Sequence, residues 1–169
     1  MIPAALRTNL AKAAGAGALA LAVPLVAWYE GYRPAAYLDP VAIPTICYGH
    51  TATARLGQTR TREECDRLLA ADLGVAFRAL DRRVRVPLPD PTRAALASWV
   101  YNVGEGAMAS STLLRLLNAG DIRAACDQLS RWVYAKGKQL AGLVKRRAAE
   151  RELCLMGVDG PPRVGAVSP

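Results

Sequence analysis

Glu30, Asp39 and Thr45 lie within one stretch of the chain that also holds Trp28, Tyr29 and His50. Two carboxylates and a hydroxyl are the minimum set for cutting a glycosidic bond: an acid protonates the leaving oxygen, a second carboxylate serves the opposite face of the sugar, and a hydroxyl positions water. The same types in isolation also have bland uses, with Glu30 as a cap or ion-pair partner, Asp39 as a turn residue and Thr45 as a strand residue. The choice depends on what must hold them.

The elements around them read as a short β-region followed by helices. Ala36 to Leu38 and Thr45 to Tyr48 flank an Asp39 to Pro44 turn like a small hairpin, with Gly49 and Gly57 punctuating the exit. Thr61 to Glu64 is a capping box, and Leu69, Leu73, Phe77 and Leu80 recur at helical spacing, which predicts a helix from about Arg62 to Arg83. Pro87, Pro89 and Pro91 break the chain. Asp90 is placed to cap a helix through Ala94 to Val103 that Gly104 and Gly106 end. Ser110 or Ser111 opens a leucine-rich helix stopping at Gly120. Asp121 caps the next, with Ile122, Cys126, Leu129 and Val133 on one face. A last helix runs from about Leu140 to Met156 with Gly157 as its C-terminal cap, and Pro161-Pro162 begin a frayed tail.

With 169 residues, 52% of them hydrophobic, the chain suits a single domain with a real core. Much of that apolar content is alanine, and one Phe stands among the aromatics, so helices packed through Ala and Leu should dominate. The net charge of +8 favours a polyanionic partner: nucleic acid, an anionic membrane surface or an acidic cell wall.

Arg7 and Lys12 precede an uncharged run from Ala13 to Tyr29, the layout of an export signal. As a helix, Ala13 to Trp28 spans roughly 24 Å, short of the ~30 Å hydrocarbon core. The two basic residues would hold the N-terminus in the cytoplasm and send the rest outward. Three readings stand: an uncleaved signal anchor, a cleaved signal peptide, or an alanine-rich core helix. Cleavage after Ala27 would leave Glu30 close to a new N-terminus, a poor way to hold a catalytic acid rigid.

Cys47, Cys65, Cys126 and Cys154 all follow the apolar run. An oxidising compartment would pair them, and of the three possible pairings we favour Cys47 with Cys65 and Cys126 with Cys154. With no C-x-x-C and His50 as the single histidine, a metal site is not expected.

Glu30, Asp39 and Thr45 in this spacing, followed by Tyr48-Gly49-His50-Thr51, resemble the phage-type lysozymes of glycoside hydrolase family 24, and within them the signal-arrest-release endolysins of lambdoid-type phages. The resemblance continues through Tyr101-Asn102-Val103-Gly104, Ser111-Thr112-Leu113-Leu114, Gly120-Asp121, Cys126-Asp127-Gln128-Leu129, Arg131-Trp132, Lys145-Arg146-Arg147 and Glu150-Arg151-Glu152. It implies an α+β, predominantly helical, lysozyme-like fold with a small N-terminal β-hairpin region and a helical C-terminal lobe. It also implies hydrolysis of the β-1,4 bond between N-acetylmuramic acid and N-acetylglucosamine, with no cofactor. Glu30, beside Trp28 and Tyr29, would be the partly desolvated general acid; Asp39, with more water access, the ionised carboxylate; and Thr45 a holder of water in an inverting reaction. The organisation expected is a release segment over residues 1–29 able to become the first helix, a lysozyme domain over 30–160 and a flexible tail over 161–169. Peptidoglycan is the implied partner, together with the inner membrane and functional coupling to a holin. The protein is expected as a monomer with no nucleic-acid partner, first tethered to the host inner membrane facing the periplasm and then released there.

Three further residues are candidates for the substrate groove: His50, either touching sugar or bracing the hairpin, and Tyr101 with Asn102, lining the groove or buried at a helix end. Arg131 beside Trp132 suggests a stem packed on an indole. Lys136, Lys138, Lys145, Arg146, Arg147 and Arg151 read as a solvated basic face. The competing class is a basic, non-catalytic protein that binds cell wall or nucleic acid through an N-terminal membrane anchor; a holin-like membrane protein fits poorly, because the apolar run is followed by a long amphipathic chain.

Overall fold

The computed structural model describes residues 1–39 and 41–160, so the tail over 161–169 lies outside the described residues. Its centre is a helix, α4, spanning Asp90–Ala109, in which every residue from Ala94 to Val100 is buried. A helix apolar on all sides must be surrounded. It packs against α7 (Ala141–Asp159), α2 (Ala18–Glu30) and α3 (Arg62–Arg83).

The N-terminal region forms two helices rather than one. After α1 (Ala4–Lys12) the chain breaks through Gly15 and Gly17, both at positive φ, and restarts as α2. Ala18, Leu21, Ala22, Leu25 and Val26 bury one stripe of α2 at helical spacing, while Leu19 and Trp28 are exposed on its two flanks. Ile2, Leu6 and Leu10 of the α1 segment join the same core. Glu152 of α7 fixes that end, accepting from the Ile2 backbone N–H at 2.6 Å and from the Arg7 guanidinium. No described helix is long and apolar enough to cross a membrane.

Gly31, at φ 75°, turns the end of α2 into β1 (Arg33–Leu38), which pairs antiparallel with β2 (Pro44–Cys47), Tyr37 opposite Thr45. The predicted hairpin is therefore present and longer on its first strand. The predicted α3 has the bounds read from sequence, and its capping box forms: the Glu64 N–H donates to Thr61 Oγ1 and the Thr61 N–H to the Glu64 carboxylate.

Three expectations are corrected. Asp90 is not a cap; Pro89 takes that position and Asp90 is the first helical residue. Gly104 kinks α4 at φ 85° without ending it, and the helix continues to Ala109. Gly157 lies inside α7, which ends at Asp159 before Gly160; a Cβ there would sit 2.3 Å from Thr92 Oγ1, so the glycine serves close approach of α7 to α4. Ser111 caps α5 (Thr112–Asn118) by accepting from the Leu114 N–H, and Asp121 caps α6 (Ile122–Gln128) by accepting from the Ala124 N–H, as their side-chain chemistry predicts. Beyond α6 a single 3-10 turn over Leu129–Arg131 leaves Val133 outside the helix.

A second hairpin, β3 (Tyr134–Ala135) with β4 (Lys138–Gln139), was not anticipated. Its turn is Lys136-Gly137, both at positive φ; Gly137 is the local signal for it, while a lysine at that φ gives none. Cys47 is bonded to Cys65, tying β2 to α3, and Cys126 to Cys154, tying α6 to α7.

Candidate active site

Two walls carry the site residues. On the hairpin wall, Asp39 sits just beyond β1, and its Oδ1 accepts from the backbone N–H of Val41 and of Ile43, each at 2.9 Å. This is an Asx-type arrangement built from neighbours in sequence. Among the described residues Oδ2 meets no donor. Thr45 is buried in β2, and its hydroxyl donates to the Ile43 carbonyl at 3.0 Å. Asp39 and Thr45 thus converge on Ile43.

On the helical wall, Glu30 is the last residue of α2. Sequence placed it beside Trp28 and Tyr29 in an apolar setting, yet the carboxylate accepts from Arg146 Nη1 of α7 at 2.7 Å. Its side chain retains 24% of its exposure, so it faces open space on one side. Trp28 is exposed, and the Tyr29 hydroxyl donates to the Lys145 carbonyl.

The basic face is corrected at two positions: Arg146 is 4% exposed and Arg147 0%. Both contact Glu150, itself fully buried. Glu150 Oε1 accepts from Ser98 Oγ at 2.6 Å and from Arg146 Nε at 3.0 Å, and Oε2 accepts from Arg147 Nη1 at 2.5 Å. Arg147 Nη2 donates to the Asn102 amide oxygen. Burial works against the Arg146 charge, but the Glu150 and Glu30 carboxylates outweigh it and hold the guanidinium above its usual range. Burial pushes the Glu150 carboxyl up, opposed by Arg147, Arg146 and Ser98.

Tyr101 lies between the walls. Its hydroxyl donates to the Tyr48 carbonyl, next to β2, and its phenol is pushed up to about 12, first by burial and then by the charges of Glu30 and Asp72. Asn102 is exposed apart from its Arg147 contact. His50 is buried: Nδ1 is 2.8 Å from an Asp72 carboxylate oxygen and Nε2 2.9 Å from Thr53 Oγ1, so both ring nitrogens are engaged with protein. Trp132 packs edge-on against Trp99 at 5.0 Å, so the indole's partner is another indole rather than the exposed Arg131.

Sequence reasoning missed Ser98, Asp72 and Glu150, and misplaced Arg146 and Arg147. The available signal was their spacing: 146, 147 and 150 share one helical face with Ala149, Leu153 and Cys154, all buried.

Set against known proteins, residues 27–150 match the model of the family described as phage lysozyme. The chain belongs to the phage lysozyme family. It is similar to the SAR-endolysin of Enterobacteria phage PA-2, 46% identical over 163 residues that cover 92% of this chain and 99% of that protein. In structure it is similar to a P22 lysozyme mutant, with a TM-score of 0.75 and 37% identity over 79% of this chain and 94% of that one. It is also similar to the active form of the P1 phage endolysin Lyz, with a TM-score of 0.74 and 25% identity over 81% and 84% of the two chains. Family membership makes the protein a glycoside hydrolase that cuts the peptidoglycan glycan, an endolysin with the predominantly helical α+β fold expected. The non-catalytic binding protein is the disfavoured alternative.

Proposed function

We propose that Glu30 is the general acid of the muramidase reaction, and that Asp39 and Thr45 hold the attacking water on the opposite sugar face, so that the product is released with inverted configuration. The observation carrying this reading is the shared anchoring of Asp39 and Thr45 on Ile43. The Thr45 proton is committed to a carbonyl, so its oxygen accepts from water. Asp39 Oδ1 is occupied by two amides, which turns Oδ2 to the same task. A water donating both protons directs its lone pair at the anomeric carbon. Glu30, fixed by Arg146 and open on one side, protonates the leaving oxygen. Tyr101 and Asn102 line the groove beside it, whereas His50 braces the hairpin.

Residues 1–29 act as a release segment. In a bilayer they tether the enzyme to the inner membrane facing the periplasm; once released, α2 packs on α4 and carries Glu30 into place. One segment cannot do both at once, so the tethered form is inactive. Supporting this are the position of Glu30 as the last residue of α2, the apolar residues on both sides of that helix, and the likeness to a SAR-endolysin and to an active-form endolysin. The released enzyme works as a monomer, and a holin-type pore triggers release.

The test is turbidity clearing of outer-membrane-permeabilised Gram-negative cells by wild type and Glu30→Gln, with mass spectrometry of the released muropeptides and NMR of the fresh anomer. We expect reducing-end muramic acid in the α configuration from wild type and a loss of about 10³-fold in the variant. Clearing by Glu30→Gln at the wild-type rate removes Glu30 from the acid role, and a β product removes inversion.

A further inference from the structure

Glu150 is the most deeply buried carboxylate of the site region, and packing alone does not explain it. Taking a carboxylate and two guanidiniums out of water carries a large desolvation cost, and well-packed apolar residues of similar volume commonly serve stability as well or better. The position lies on α7, with Ala149, Leu153 and Cys154 buried around it, so an apolar side chain would continue the helix face without a break.

The bonds show what the ion does. Arg146 is gripped from the core side, through Nε by Glu150 and through Nη2 by the Ser98 carbonyl at 3.3 Å, which leaves Nη1 pointing at Glu30. Arg147 is gripped by the other Glu150 oxygen and reaches Asn102. Two arginines and two carboxylates balance in charge, and Glu30 is the one carboxylate of the two that reaches the open side.

We propose that Glu150 is a positioning residue: one buried carboxylate, braced by Ser98, orients Arg146 onto Glu30 and Arg147 onto Asn102, and so fixes the acid and the groove amide together. Glu150 touches no substrate and acts through the two arginines. The proposal rests on the reading of Glu30 as general acid, and the Glu30→Gln control separates the two, because activity in that variant defeats the reading whereas Glu150 variants bear on the positioning.

The experiment measures kcat, KM and the pH profile of kcat on soluble, uncrosslinked glycan strands, with circular dichroism melts to establish folding. In Glu150→Gln, Arg146 loses its rigid anchor and carries uncompensated positive charge beside Glu30. We expect kcat to fall about tenfold or more. The alkaline limb, where the acid gives up its proton, should move down by about one pH unit, since an added positive charge favours the carboxylate. In an Arg146→Gln background, Glu150→Gln should cost less kcat than it does alone, because one of its two routes has already been cut and only that through Arg147 is left. Should Glu150→Gln fail to fold, Glu150→Leu with Arg147→Met, an apolar replacement of the second pair, takes its place with the same tenfold loss in kcat expected. A folded variant with wild-type kcat and an unmoved alkaline limb, or losses at Glu150 and Arg146 that multiply, overturns the proposal and leaves Glu150 a structural ion.

Discussion

The two walls of the site are built in opposite ways. The hairpin wall is local: Asp39 is held by the amides of Val41 and Ile43 and Thr45 by the Ile43 carbonyl, all within a few residues of one another. The helical wall is long-range: Glu30 meets Arg146 across 116 positions of sequence, and Arg146 is in turn set by Glu150 and Ser98 in the core. The comparison teaches that the hairpin side depends on loop geometry, which neighbours dictate, whereas the Glu30 side depends on how α2, α4 and α7 pack. The first should keep its fold under isosteric substitution while losing activity with the polar group removed. The second should respond to changes in both shape and charge.

The largest test of that contrast is Asp39→Asn. The amide oxygen still accepts from Val41 and Ile43, so the loop and the melting temperature should be kept while cell clearing falls at least about 10²-fold. A melting temperature that drops along with activity would mean that the charge of Asp39, and not only its oxygen, holds the hairpin. Thr45→Val, equal in shape, should lose less, on the order of tenfold.

The disulfides sharpen the comparison at the next level. Their sequence separations, 18 for Cys47–Cys65 and 28 for Cys126–Cys154, are similar enough that paired Ser replacements should each cost about 3–4 kcal/mol in denaturant unfolding. Activity per folded molecule should separate them. Freeing β2 from α3 loosens the hairpin wall and should slow clearing about tenfold, while freeing α6 from α7 should leave it within about twofold. Equal losses would show that the walls are not mechanically distinct.

The smallest effect lies at alkaline pH, where Tyr101 spans the walls. Its phenol is raised from 10.0 to about 12 in the fold, so between those values the unfolded chain has lost a proton that the folded protein keeps, and stability falls as pH rises through that window. Tyr101→Phe should flatten that fall in pH-dependent thermal melts while leaving neutral-pH stability little changed. An unaltered alkaline slope would place the loss on other groups, with Tyr48, also raised to about 12 by burial and its Asp66 hydrogen bond, the next to replace.

What could be read in advance follows the same division. The bounds of α3, the capping box at Thr61, the caps at Ser111 and Asp121 and the hairpin around Asp39 are decided by contacts between neighbours, and the sequence displays neighbours. Gly104 and Gly157 were misread because a glycine signals permissiveness without saying whether it ends a helix, kinks it or lets another helix approach. Arg146 and Arg147 were misread as solvated because charge on a helix face has no visible direction until another helix covers it.

By itself, then, the sequence determined the chemistry on offer: Glu30, Asp39 and Thr45 in one short stretch, the hairpin that holds two of them, and a helical body rich in alanine and leucine. Only the tertiary structure decided the electrostatic surroundings of Glu30, because a buried carboxylate at 150 and a hydroxyl at 98 meet Arg146 when α4 and α7 close around them, and the low polarity of that interior makes every charge there answer to its partners.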